Sequence, residues 1–290
     1  MPITVDQSIQ SVLNERLSNL EKHYNADFLS YFGPIVDGNE TIVRRIVDQL
    51  ATCPGKKDIL FVLLTTNGGS PFAVERYVNI IRHHYHEVNF IVPDYAYSAG
   101  TIFCMSGDNI HMDYSSVLGP IDPQIQNKEG KWVPALGYLD KVNEFIEKSR
   151  SNVLTTAEFL ILKDFDLAEL RAYEQAKELT IELLKKWLVK YKFKNWNTHQ
   201  TTPGILGTPV TPDEKQERAE IIAGQLSDNS KWKSHGRPIN IEALKGLKLK
   251  IEDFSTDPQA SLLIRKYFDL LQDYITKNKI PVFIHTRKFI

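Results

Sequence analysis

The sequence predicts an α/β domain organised around a mostly parallel sheet. Three observations carry that expectation. Asp58–Thr65 (DILFVLLT) and Val88–Val92 (VNFIV) are near-continuous apolar runs, an amphipathic helical stretch separates them, and a third short run, Ile110–Met112, follows a further helical stretch. Strands covered on both faces read as unbroken apolar runs, and strand–helix–strand alternation returns the chain to one sheet in parallel.

The elements follow in order. Val5–Tyr24 sets Ile9, Val12, Leu13, Leu17 and Leu20 on one helical stripe, a helix that caps the core or a partner. Ala26–Tyr31 reads as a strand and Asn39–Ala51 as a helix closed by Cys53-Pro54-Gly55. After the central strand Asp58–Thr65 comes a helix to about His86 with the stripe Val74, Val78, Ile81 and Tyr85, and then Val88–Val92 completes the crossover. A short apolar helix follows Ser98 and ends near Ser106. The chain is then turn-rich from Asp113 to Pro134, and Leu136–Arg150, Thr156–Lys163 and Asp166–Tyr191 are helical. Asn195–Pro212, with Pro, Gly, Thr and Asn, reads as a loop; helices at Pro212–Leu226 and Asp257–Lys277 and an edge strand at Pro281–Ile284 close the chain. One domain over 1–290 is expected, with helical extensions at 1–25 and 195–290.

Composition excludes several classes. Thirty-five basic against 36 acidic side chains give a net charge of −1, too little to gather nucleic acid or anionic lipid. The longest apolar stretch, Ile59–Leu64, is far short of a bilayer span. Cys53 and Cys104 form neither a C-x-x-C pair nor a metal quartet, and Met1–Glu15 lacks the layout of a secretory signal, so a cytoplasmic protein is expected. No nucleotide-binding glycine loop is evident, and neither a cofactor nor a metal is expected.

Two short motifs carry chemistry. Gly68-Gly69 follows the central strand, and glycines there let the backbone turn its amides toward an oxyanion; a tight turn alone would use the same residues. Thirty residues on, Tyr97-Ser98-Ala99-Gly100 puts a serine among small residues at a strand-to-helix turn, where the Ala99 amide and the helix amino terminus favour negative charge. A plain helix cap would use a serine at the same place, but the two motifs together favour a nucleophile. Alanine at position 96 departs from the G-x-S-x-G elbow, so a different hydrolase fold is needed.

TTNGGSP, PDYAYSAGT and GDNIHMDYSSVLGPIDPQI, over about residues 58 to 126, resemble in order the signature of serine dehydrogenase proteinases of the Clp-protease superfamily, related to signal peptide peptidase A; the stretch from Leu226, LSDNSKWKSHGRPINIEALKGLKLK, is similar to that family's carboxyl-terminal segment. The resemblance implies a ClpP/crotonase-like ββα spiral with added helices, homo-oligomeric assembly, and peptide hydrolysis through an acyl-enzyme on Ser98, with Gly68, Gly69 and Ala99 framing the oxyanion. Peptide or protein would be the substrate, and any unfolding ATPase would be a separate chain.

A serine hydroxyl needs a proton acceptor. The stretch Val117–Asp122, where Clp subunits carry histidine, has none. Relatives of the archaeal stomatin-cleaving type use a lysine at the start of a helix, and Lys141 in LGYLDKVNEFIEK sits at that position, which implies a Ser-Lys dyad. Burial would have to lower its pKa, whereas Asp140 beside it favours the charged form. Lys128 and Lys131 are fallbacks, and His235 is the rival base. His83, His84 and His86 read as a solvated helix end, His111 as part of a strand, and Asp113 and Asp122 as carboxylates that satisfy loop amides. Two rival functions are a crotonase-like acyl-CoA enzyme, which would not need Ser98, and an idle oligomeric scaffold contacting partners through Val5–Tyr24.

Overall fold

The computed structural model describes residues 4–126, 130 and 132–290. Helix α1 (Val5–Tyr24) starts at a reciprocal cap in which Thr4 and Gln7 bond each other's backbone, and it ends at Asn25 in a left-handed conformation. Strand β1 (Asp27–Phe32), helix α2 (Glu40–Ala51), strand β2 (Ile59–Thr65), helix α3 (Pro71–His84) and strand β3 (Glu87–Ile91) follow. Next come β4 (Tyr95–Ala96), α4 (Ala99–Met105), β5 (Asn109–Met112), β6 (Val117–Leu118), β7 (Gln124–Gln126) and β8 (Trp132–Pro134). The second half holds α5 (Ala135–Arg150), α6 (Thr156–Lys163), α7 (Leu167–Trp187), α8 (Pro212–Ser227), α9 (Asn229–Trp232), α10 (Ile241–Gly246), β9 (Glu252–Asp253), α11 (Pro258–Asn278) and β10 (Phe283–His285).

The main sheet has the order β10-β1-β2-β3-β5-β9. All its pairings are parallel except the edge pair β1–β10, and one row runs Leu29–Val62–Phe90–Ile110 across four strands. The unbroken apolar run of β2 is explained by its two covered faces. Leu60, Val62 and Leu64 point into a core shared with α2, α3, α4 and α7, whereas Phe61 and Leu63 point into a second core closed by α1 and α11. Most of the stripe of α1 is used there: Leu13, Leu17 and Leu20 are buried, with α1 packed against α11, so α1 caps this chain's own core, while Val12 stays exposed.

Two departures from expectation matter for the site. The chain forms a small second layer in which β4 pairs in parallel with β6, and Leu118 of β6 bridges antiparallel to Ile239. Strands of two residues leave no periodic signal in sequence. The helix expected through Tyr191 stops as α-helix at Trp187 and continues as a π-helical turn, Leu188–Lys192. Among the described residues, no helix is long and apolar enough to cross a membrane.

Candidate active site

Ser98 stands between β4 and α4 with φ 52° and ψ −116°, a backbone conformation that costs a non-glycine residue on the order of 1–3 kcal/mol. As the residue before the helix it makes no side-chain cap bond, which sets aside the plain-cap reading. Ser98 is half-buried, and its hydroxyl has no hydrogen-bond partner among the described residues.

The glycine pair lies against it. A Cβ on Gly68 would stand 2.8 Å from Ser98 Cβ and 3.3 Å from Ala99 N, and a Cβ on Gly69 would stand 1.9 Å from the Ile35 carbonyl oxygen; both glycines have positive φ, 102° and 143°. Only glycine fits either place. The segment is held from outside: Ile35 N–H donates to Gly68 O (2.9 Å), Ser70 N–H to Ile35 O (2.8 Å), and Ser70 Oγ to Asp37 (2.7 Å). The three expected oxyanion donors divide here. Gly68 N–H already donates to Thr66 Oγ1 at 3.0 Å, while the amides of Gly69 and Ala99 have no acceptor among the described residues. Thr66 is buried, a role its sequence position gave no reason to expect.

The second layer brings a further pair to this end of the molecule. Ala96 is opposite Leu118 in parallel and Leu118 is opposite Ile239 in antiparallel, so the residues just after Ala96 and Leu118 and those just before Ile239 lie at the same end. By that register Ser98, two residues past Ala96, Asp122, four past Leu118, and His235, four before Ile239, all follow on from the same end of the layer. Thr101 fastens the layer: its hydroxyl lies 2.8 Å from Gly119 O and accepts from Gly119 N–H at 3.0 Å. His235 Nδ1 is 2.9 Å from Asp122 Oδ1, and Asp122 is 1% exposed. A carboxylate buried to that degree and bonded to one imidazole nitrogen fixes the ring's orientation and leaves Nε2 free. Asp122 is the residue that sequence reasoning left to loop amides; its one signal was a carboxylate 24 residues beyond Ser98 in a segment following an apolar dipeptide.

Lys141 is not buried. It stands on the exposed face of α5, its side chain 53% exposed, with Nζ donating to Glu144 at 2.7 Å and lying over the Phe145 ring. Burial, the property a lysine base requires, is missing because α5 turns this face to solvent. Lys128 and Lys131 fall outside the described residues. His111 is an interior residue packed on Phe61, its pKa pushed down to about 4 by burial, and His84 bonds Asp48 on the surface. Asp113 is tied to Arg265 and Ser115; burial alone would raise its pKa, but these bonds hold it below the usual range. Among the described residues no group of three or more His, Cys, Asp or Glu side chains is placed to hold a metal ion.

The model of the ClpP-like SDH-type serine proteinase family matches residues 31–212, a span that includes Gly69, Ser98, Asp122 and Lys141 and ends before His235. Among curated proteins, the uncharacterized protein MJ1495 of Methanocaldococcus jannaschii is 28% identical over 213 residues, 73% of this chain and 56% of that one. The uncharacterized protein MJ0137 of the same organism is 36% identical over 90 residues, 31% of this chain and 30% of its own length. The chain therefore spans 56% or less of the curated relatives it matches. Two solved structures of the 1510-N membrane-bound stomatin-specific protease, both of mutants and one in complex with a substrate peptide, align at TM-score 0.33 with 18% and 20% identity, covering 56% of this chain and 74% and 70% of theirs. With more than half its length matched by that family's model, the chain belongs to the ClpP-like SDH-type serine proteinases.

Proposed function

We propose that the chain is a serine endopeptidase in which Ser98 is the nucleophile, His235 the general base, Asp122 the residue that orients His235, and the amides of Gly69 and Ala99 the oxyanion donors. The observation that carries this reading is the contact of His235 with a carboxylate 1% exposed, at the end of the small layer where the strained Ser98 stands. Ser98 Oγ attacks the peptide carbonyl and its proton passes to His235 Nε2, with Asp122 stabilising the imidazolium. The carbonyl oxygen takes up the negative charge and is met by the two free amides. Collapse returns the proton from His235 to the leaving amine and leaves an acyl-enzyme on Ser98, which water hydrolyses with His235 again as base. The free serine hydroxyl and free imidazole nitrogen meet once substrate excludes water, since such bonds tighten in the substrate complex.

Lys141, implied as base by the resemblance, has an exposed ion pair instead of a cleft, and the proposal assigns the role to His235. The test compares single variants by fluorophosphonate labelling and peptide turnover. Ser98→Ala should lose both, and His235→Ala should lose turnover by about 10³-fold or more, while Lys141→Ala should stay within about twofold of wild type. A dead Lys141→Ala with an active His235→Ala would return the base to Lys141. Thioester chemistry retained in Ser98→Ala would favour the acyl-CoA reading, and absence of all activity in wild type would favour the scaffold.

A further inference from the structure

On the reading of Ser98 as nucleophile, we propose that Arg265 is a positioning residue for it: the guanidinium clamps the two connections through which the chain leaves the main sheet for the small β4–β6 layer. Arg265 lies on α11, 152 residues past Asp113 in sequence. Nη1 donates to the Pro93 carbonyl oxygen at 2.7 Å, and Nη2 donates to Ser115 Oγ at 2.9 Å and to Asp113 Oδ2. Pro93 follows β3 and leads into β4, while Asp113 and Ser115 follow β5 and lead into β6. One planar group therefore holds both connections, and the Phe254 ring, 5.5 Å from the guanidinium, backs it.

The proposed chemistry hangs on these two connections. Ser98 comes five residues past Pro93, and Asp122 comes nine past Asp113. Between the connections, Val117 N–H donates to Asp94 O at 2.8 Å, and Tyr95 is then opposite Val117 and Ala96 opposite Leu118. A slip of one connection past the other therefore passes into the stagger of β4 against β6, and from there into the placing of Ser98 relative to Asp122. The turn that carries β6 is shaped to receive the clamp. Asp113 Oδ1 accepts from the amides of Ser115 at 2.9 Å and Ser116 at 3.1 Å, which leaves Oδ2 for Arg265. Asp113 is 2% exposed, and a carboxylate so buried needs its counter-charge. Lysine at this position would keep the charge and lose the fork, since a single ammonium cannot hold Pro93, Asp113 and Ser115 in one fixed plane.

The test compares the full wild-type chain with Arg265→Lys and Arg265→Met. Arg265→Lys should lower kcat for peptide cleavage about 10- to 100-fold with KM within about twofold, the cost of a misplaced reacting group. Fluorophosphonate labelling should slow by a similar factor and still reach the stoichiometric end-point, because a displaced hydroxyl reacts slowly but is present. Hydrogen exchange at the Val117 amide should speed up about tenfold, with Val62 and Phe90 of the main sheet unchanged. Arg265→Met, which leaves Asp113 buried without a counter-charge, should lose more activity and melt earlier. A merely structural role would lower Tm and the labelling end-point together and leave the rate of the folded fraction alone. That pattern in Arg265→Lys, or wild-type kcat and labelling rate in it, would overturn the proposal and leave the reading of Ser98 standing. A wild type that takes no label at Ser98 would instead sink that reading, and the role of Arg265 with it.

Discussion

The end of the molecule around Ser98 and the arm formed by α5, α6 and α7 treat the same residue types in opposite ways. Around Ser98, polar groups are buried and bonded to one another: Asp122 to His235, Thr66 to Gly68, Thr101 to Gly119. In the arm, polar groups form exposed ion pairs such as Lys141–Glu144 and Arg150–Glu147, while large apolar side chains stand in solvent. Surface ion pairs of that kind contribute about 0–1 kcal/mol each and hold little in place. A buried, satisfied polar group fixes geometry, because leaving it unpaired costs much more. The comparison teaches which region can hold a fixed geometry: the positioned polar atoms are around Ser98, and the arm leaves its apolar atoms uncovered.

Three experiments sharpen that contrast, from the largest effect to the smallest. Asp122→Asn should cost about 10³–10⁴-fold in peptide turnover, because an amide holds the imidazole in the wrong tautomer; a variant within tenfold of wild type would detach Asp122 from the site. Gly69→Ala should lower turnover about 10²-fold with little change in KM, since the Ile35 carbonyl, 1.9 Å from the new Cβ, must push the segment and its amide away from Ser98. Normal turnover would mean the Gly69 amide is not a donor.

The smallest effect concerns a buried cation outside both regions. Lys192 ends the π-helical turn with Nζ buried and without a hydrogen-bond partner among the described residues, and burial lowers its pKa to about 8. With the folded value below the unfolded one, the folded chain binds fewer protons between the two, so stability rises with pH from about 8 toward the free-lysine value of 10.5 and is lowest below that window. Lys192→Met should therefore raise Tm at pH 7 by about 2–4 °C, with a smaller gain near pH 10. An equal gain at both values would mean the amine is already neutral at pH 7.

The sheet was legible because its signals are local. DILFVLLT, the glycine pair after it and the serine at the next strand-to-helix turn each announce themselves within a few residues, and the structure puts them at β2, before α3 and before α4. His235 was legible as a rival base, but its pairing with Asp122 was not. Asp122 and His235 are 113 residues apart, and their meeting depends on the Leu118–Ile239 bridge between segments too short for any periodicity to mark. Lys141 illustrates the same limit from the other side: its position at a helix start is readable, but which face of α5 meets solvent is decided by Leu170 and Tyr173 of α7, with which α5 shares a small core. The family resemblance in sequence supplied a position for Lys141, whereas the burial of a carboxylate needed the folded chain.

The Leu118–Ile239 bridge also fixes the order of events during synthesis. Ser98 and its glycine neighbours are made first, and the imidazole bonded to Asp122 comes from a segment 137 residues beyond Ser98. With His235 as the base proposed above, a growing chain would carry an inert hydroxyl until that later segment docks, and a chain stopped before His235 would also lack α11 and the two edge strands β9 and β10, so the order of synthesis ties the proposed hydrolytic power to completion of the sheet.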